Sequence, residues 1–128
     1  MIKIAFFDTK DYDKKFFNEY NKNYGYEIKY IEEKLCEKTA YMSKGYDVVC
    51  VFVNDIVDEK TINILKECGV KLIALRCAGF NNVDLKCLDE NIKAVRVPAY
   101  SPYAVAEHAS ALLLTLNRKT YKAYQRID

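Results

Sequence analysis

Val70-Lys-Leu-Ile-Ala-Leu75, running into Arg76-Cys-Ala-Gly-Phe-Asn-Asn-Val-Asp84, is the stretch that decides the fold. A short apolar run of strand type ends at a glycine turn, and a helical pattern over Asp84 to Glu90 follows. The same order recurs along the chain. Ile2 to Phe7 reads as a strand ending at Asp8-Thr9. Tyr12 to Tyr24 reads as a helix with Phe16, Phe17 and Tyr20 on one face, capped by Thr9 or Asp11 and ended by Gly25. Tyr26 to Ile31 alternates with period two, and Thr39 to Met42 forms a short helical turn. Asp47 to Val53 is a continuous apolar run bounded by Asn54-Asp55. Asp58 caps a helix through Glu67, with Ile62, Leu65 and Cys68 inward and Gly69 as its stop. Lys93 to Val97 is the fifth strand, ended by Pro98.

Strands apolar on both faces, alternating with helices, belong to a parallel sheet covered on both sides. Right-handed crossovers then predict an α/β fold: a flavodoxin-like, doubly wound, parallel five-stranded sheet. A long C-terminal helix completes it, from about Pro102 to Arg126. Val105, Ala109, Leu112, Leu113, Leu116 and Thr120 form one apolar stripe along it. At ~1.5 Å per residue this helix is roughly 36 Å long, more than the small sheet can cover. Leu112, Leu113 and Leu116 are therefore expected to pack on something else, or to drive self-association.

Composition narrows the class. The chain has 128 residues, 51% hydrophobic and 30% charged, with a formal net charge of +2, which fits one soluble globular domain. Lys and Arg are interspersed with nearly as many acids, so no nucleic-acid footprint is expected. No apolar run is long enough for a signal peptide or a membrane span. The five cysteines, Cys36, Cys50, Cys68, Cys77 and Cys87, lack Cys-x-x-Cys spacing, and the one histidine, His108, is distant from them. No metal site is expected. Reduced thiols and a cytoplasmic location are.

Ligands of doubly wound sheets bind beyond the carboxyl ends of the strands. That rule points to Asp8-Thr9, Asn54-Asp55, Arg76 to Phe80 and Pro98 to Ser101. At Gly79, a residue free to take positive φ, successive backbone N–H groups either cradle an anion or simply close a tight turn. Tyr100 stands between Pro98 and Pro102. Its phenol either donates to a ligand oxygen or plugs the core. Ser101 is a suitable N-cap. Arg76 either contacts an anion or ties the turn to Asp84 or a strand-end carbonyl, and the structural role is the one expected. His108 has only Glu107 beside it, and adjacent helical residues do not face each other, so it is not read as catalytic. Asp8 and Asp55 lie where receiver-type phosphorylation sites carry acids. The paired acid after the first strand is absent, as is a Lys at the end of the fifth.

Phe52-Val-Asn-Asp55, Ala74-Leu-Arg-Cys-Ala-Gly-Phe-Asn-Asn-Val-Asp-Leu85, Val95-Arg-Val-Pro-Ala-Tyr100, Ala104-Val-Ala-Glu-His-Ala109 and Thr115-Leu-Asn-Arg118 occur in that order. Together they resemble the NAD-dependent D-isomer-specific 2-hydroxyacid dehydrogenases, most closely the D-lactate dehydrogenases among them. The resemblance extends from Ile2 to Arg126. It implies an oxidoreductase that reduces pyruvate to D-lactate with NADH in a cleft between a catalytic and a nucleotide-binding domain. It implies that residues 1–100 form the substrate-binding domain, and that 101–128 form an interdomain and dimerisation helix in a homo-oligomer. The backbone of Ala78 and Gly79 matches the family's carboxylate-binding loop. Tyr100 matches a tyrosine near the substrate, Val105 a position beside the nicotinamide, and Phe52 a pocket position that is Tyr in some relatives. The family's catalytic Arg, Glu and His follow a Gly-x-Gly-x-x-Gly turn that does not occur before Asp128. No catalytic residue is therefore assigned, and the chain alone is expected to be inactive and not to bind NAD. The other reading of the residues is a stand-alone flavodoxin-like binding or regulatory module.

Overall fold

The computed structural model describes residues 1–97. The expected C-terminal helix lies outside them, with its stripe and with Pro98, Tyr100, Ser101, Val105 and His108. Five strands, β1 (Lys3–Phe6), β2 (Glu27–Tyr30), β3 (Val48–Val51), β4 (Leu72–Leu75) and β5 (Lys93–Val95), form one sheet. Their spatial order is β2-β1-β3-β4-β5, and every pairing is parallel. Helix α1 (Asp11–Asn21) crosses from β1 to β2, and α2 (Glu59–Glu67) from β3 to β4. A 3-10 turn, Ala40–Ser43, lies between β2 and β3. This is the flavodoxin-like winding that the alternation predicts. The chain reverses its direction of travel across the sheet between β1 and β3, so their carboxyl ends diverge at a topological switch point.

Strand alternation divides the sheet into two unlike faces. Ala5, Phe7, Val49, Val51, Ile73 and Leu75 point to one side and meet Ile62 and Leu65 of α2 in the main core. Removing a Leu- or Ile-sized side chain from water contributes about 1.5–3 kcal/mol, so each of these buried side chains adds substantially to stability. Helix α2 starts and stops as its sequence requires. The Asp58 carboxylate accepts the Thr61 N–H at 2.9 Å, and Gly69 takes φ +88° just past the last turn.

The opposite face is more open. Phe16, Phe17 and Tyr20 share a face of α1, which buries no residue, and these three are 53%, 39% and 69% exposed. Phe17 meets Phe6 edge-on with ring centroids 4.7 Å apart, and Asn18 accepts a hydrogen bond from the Tyr30 hydroxyl at 2.7 Å. The helix start differs from the expected one. Lys10 is the N-cap, its N–H donating to the Asp13 carboxylate at 2.9 Å, while the Thr9 hydroxyl donates back to the Phe6 carbonyl. The expected Asp84 to Glu90 helix is only a 3-10 turn, Leu85–Cys87. Asp84 closes it onto the Lys86 N–H, and Asp89 then accepts the N–H groups of Asn91 and Ile92, turning the chain into β5.

Candidate functional site at the strand ends

The carboxyl ends of β1, β3 and β4 surround a cleft of about 550 Å³, whose lining includes Asp8, Lys10, Lys34, Phe52 and Arg76. It lies where the winding rule places a ligand. Phe52, just past β3, is fixed at both backbone groups. Its N–H donates to the Asp55 carboxylate at 2.6 Å, and its carbonyl accepts from the Asn82 side-chain amide at 3.0 Å. The other Asp55 oxygen accepts the Leu35 N–H at 2.6 Å, and the Asn82 amide also reaches the Asp55 carbonyl at 2.9 Å. Asp55 is 1% exposed. Burial pushes its carboxyl above the usual aspartate range, against the pull of the two N–H donors. It is therefore a brace for the 52–55 loop and not an accessible acid. Asn82 is a second brace for the same loop. The signal that could identify it is an amide side chain directly after a glycine turn that must dock on a neighbouring loop.

Arg76 does the structural work expected of it, through strand-end carbonyls and not Asp84. Its guanidinium donates to the Phe7 carbonyl at 3.0 Å, the Cys50 carbonyl at 3.4 Å and the Asp8 carbonyl at 3.2 Å. It also lies over the Phe6 and Phe52 rings, 4.2 and 5.2 Å from their centroids, a cation–π arrangement. One side chain thus joins three strand ends to the pocket aromatic. Asp8, at φ +50°, has a nearly buried carboxylate paired with Lys10 at 3.1 Å. Neither Asp8 nor Asp55 is presented as a phosphate acceptor.

The turn after Arg76 carries Ala78 and Gly79. Their backbone N–H groups have no acceptor among the described residues. Gly79 is free to take positive φ but does not take it. A Cβ built there meets nothing within 4 Å, so glycine here leaves open space over the peptide and does not relieve strain. Phe52 lines the main cleft, whereas Ala78 and Gly79 do not; Arg76, over the Phe52 ring and directly before the turn, links them. Tyr100 and Val105 lie outside the described residues.

The two thiols nearest the turn and cleft, Cys50 and Cys77, are held above the ordinary thiol range. All five cysteines are free. Burial pushes Cys50 up to about 11, and burial likewise raises Cys77. Among the described residues, no group of three or more His, Cys, Asp or Glu could hold a metal ion. No helix among them is long and apolar enough to cross a membrane.

Comparison with known proteins places this geometry. Residues 4–127 match the family described as D-isomer specific 2-hydroxyacid dehydrogenase, catalytic domain. A 2-hydroxyacid dehydrogenase homolog from Schizosaccharomyces pombe is 57% identical over 127 residues, covering 98% of this chain and 38% of the relative. The D-lactate dehydrogenase of Escherichia coli is 51% identical over 98% of the chain. Its apo structure superimposes with a TM-score of 0.85, covering 40% of that structure's chain. The NAD-complexed D-isomer specific 2-hydroxyacid dehydrogenase of Lactobacillus delbrueckii ssp. bulgaricus is 29% identical with a TM-score of 0.76, over 98% of this chain and 38% of that one. The chain thus spans about two fifths of the length of its relatives.

Proposed function

The chain belongs to the D-isomer-specific 2-hydroxyacid dehydrogenases, as their catalytic domain, and from that premise we propose that it supplies the substrate-binding half of an NAD-dependent enzyme reducing pyruvate to D-lactate. The observation that carries this reading is the Arg76–Phe80 turn. It sits at a strand end beside the Phe52 loop, and the N–H groups of Ala78 and Gly79 have no acceptor among the described residues. Two backbone donors at such a turn suit a carboxylate, the group every 2-keto and 2-hydroxy acid shares. Pyruvate follows because it is the oxidised partner of lactate, and D-lactate dehydrogenase from Escherichia coli is among the similar proteins.

In this reading the domain's work is recognition. The turn binds the carboxylate, the Phe52 ring bounds the pocket, Tyr100 adds a hydrogen bond, and Val105 stands near the nicotinamide. Residues 1–100 form the substrate-binding domain and 101–128 the interdomain and dimerisation helix of a cytoplasmic homo-oligomer. The 128 residues do not themselves fit a dinucleotide. Their four glycines, Gly25, Gly45, Gly69 and Gly79, are at least ten positions apart and cannot build a Gly-x-Gly-x-x-Gly turn. In this reading the dinucleotide site, where NADH would supply the hydride, belongs to the remainder of the enzyme, as do the proton donor and the Arg that orients substrate.

The test is NADH oxidation with pyruvate. The whole enzyme carrying this domain is expected to turn over, and the purified 128-residue chain is not. Turnover by the chain alone overturns the division of labour. A whole enzyme that ignores pyruvate but reduces bulkier 2-keto acids overturns the substrate assignment.

A further inference from the structure

We propose that Arg96 and Cys77 are positioning residues that set the peptide orientation of the 77–80 turn, so that its N–H groups face the substrate carboxylate. The proposal rests on the carboxylate reading of that turn and explains what holds it in its binding form. Three consecutive carbonyls of the turn are each held by a donor from the protein. The Cys77 carbonyl accepts the Val97 N–H at 3.2 Å. The Ala78 carbonyl accepts from Arg96 Nη1 at 2.8 Å. The Gly79 carbonyl accepts from the Cys77 thiol at 3.2 Å.

The consequence is geometric. The described peptides are all trans, and in a trans peptide the N–H points opposite to the C=O. Holding the carbonyls of residues 77, 78 and 79 therefore also fixes the N–H groups of Ala78, Gly79 and Phe80, each pointing opposite to its own held carbonyl. None of the three has an acceptor among the described residues. The cradle accordingly includes a third donor, Phe80.

Glycine alone does not impose this arrangement. Gly79 is outside the left-handed region and sterically unconfined, so its backbone is free to rotate and present a carbonyl to the ligand instead. A carbonyl turned toward a carboxylate repels it. Rotating the 78–79 peptide requires breaking the Arg96 bond, which is charge-assisted. Arg96 is held in turn by its own stacking, 4.9 Å from the Phe80 ring centroid. Rotating the 79–80 peptide requires breaking the Cys77 bond. The raised thiol keeps its proton at neutral pH and remains a donor. Both side chains act through the carbonyls of the turn, not through its N–H groups.

The experiment uses the full 128-residue chain, ¹⁵N-labelled and titrated with oxamate, a carboxylate that mimics pyruvate. Wild type is expected to shift the amides of Ala78, Gly79 and Phe80. Arg96→Met removes the donor and keeps an apolar stem. It is expected to move the Gly79 amide without ligand and to weaken oxamate roughly five-fold, the loss typical of one hydrogen bond. Arg96→Lys restores most of the affinity. Cys77→Val weakens binding about two- to three-fold, and Cys77→Ser, which keeps a donor, does not. Denaturation midpoints serve as the control, because a merely structural role moves stability without moving the Gly79 amide. Wild-type shifts retained together with unchanged oxamate affinity in Arg96→Met and Cys77→Val overturn the positioning roles alone. Absence of shifts at 78–80 in wild type overturns the carboxylate reading, and this proposal with it.

Discussion

Replacing Asp55 is the most direct challenge to the view that the pocket is braced from beneath. Its two oxygens accept the N–H groups of Leu35 and Phe52, both at 2.6 Å, in a site 1% exposed. Hydrogen bonds to a charged acceptor contribute about 1.5–3 kcal/mol each. In Asp55→Ala the Leu35 N–H, on a fully buried residue, is orphaned at a cost of about 1–3 kcal/mol. The Phe52 residue is half-buried, and water can replace its bond more cheaply. Releasing a buried carboxylate offsets part of the loss. The net expectation is about 3 kcal/mol of destabilisation for Asp55→Ala and about 2 kcal/mol for Asp55→Asn, whose Nδ2 must face one of the two N–H donors. That is a large share of the ~5–15 kcal/mol available to a domain. Urea denaturation followed by far-UV circular dichroism measures it, the chain having no tryptophan. The two carboxylate variants should lower the midpoint without changing the slope. The pH arm has a definite sign. Burial raises the folded-state pKa of Asp55, so its contribution is full below the unfolded value near ~3.9 and is lost as pH rises through the folded value. Asp55→Asn should remove that segment of the pH–stability curve. A stability within about 0.5 kcal/mol of wild type for Asp55→Ala, inside the range of an ordinary surface change, would refute the brace.

Further outcomes follow from the same network. Asn82→Ala should cost about 1–2 kcal/mol by freeing the Phe52 and Asp55 carbonyls, and its amide shifts should centre on residues 52–55. Arg76→Lys keeps the charge but cannot reach the Phe7, Cys50 and Asp8 carbonyls together. It is expected to broaden the amide signals of all three strand ends, and a spectrum changed only at residue 76 would count against the clamp. Timed alkylation with mass-spectrometric readout should modify Cys36 first, because the Thr39 hydroxyl bond lowers its pKa, and Cys50 last, since burial holds it at about 11. Early labelling of Cys50 would show that the sheet face around it opens readily.

How much was legible beforehand depended on whether a feature was local. Apolar runs such as Val48 to Val51 and Leu72 to Leu75, with Asp58 and Gly69 bounding a helix, state the α/β alternation in single-residue terms. From these the parallel winding follows, and with it the expectation that a ligand binds at the strand ends. The ordered motifs from Phe52 to Asp84 carried the family. What the sequence did not show was what each local pattern would meet. Phe16, Phe17 and Tyr20 share a helix face, and among the described residues Phe17 meets Phe6. Gly79 is free to take positive φ but does not take it, and open space surrounds it.

By itself, then, the sequence determined the class of fold and the family, and pointed to the 76–80 turn as the place where recognition is proposed. Each of these is written in neighbouring residues, through hydrophobic period, cap chemistry and motif order. Only the tertiary structure decided which side chains hold that turn and the neighbouring cleft. Arg76 spans from β4 to the ends of β1 and β3, Asn82 and Asp55 lock the Phe52 loop, and Arg96 reaches back eighteen positions to the Ala78 carbonyl. Such bonds join strands that are remote in the chain and adjacent in the sheet. Their geometry exists only once the winding brings those strand ends within hydrogen-bonding distance.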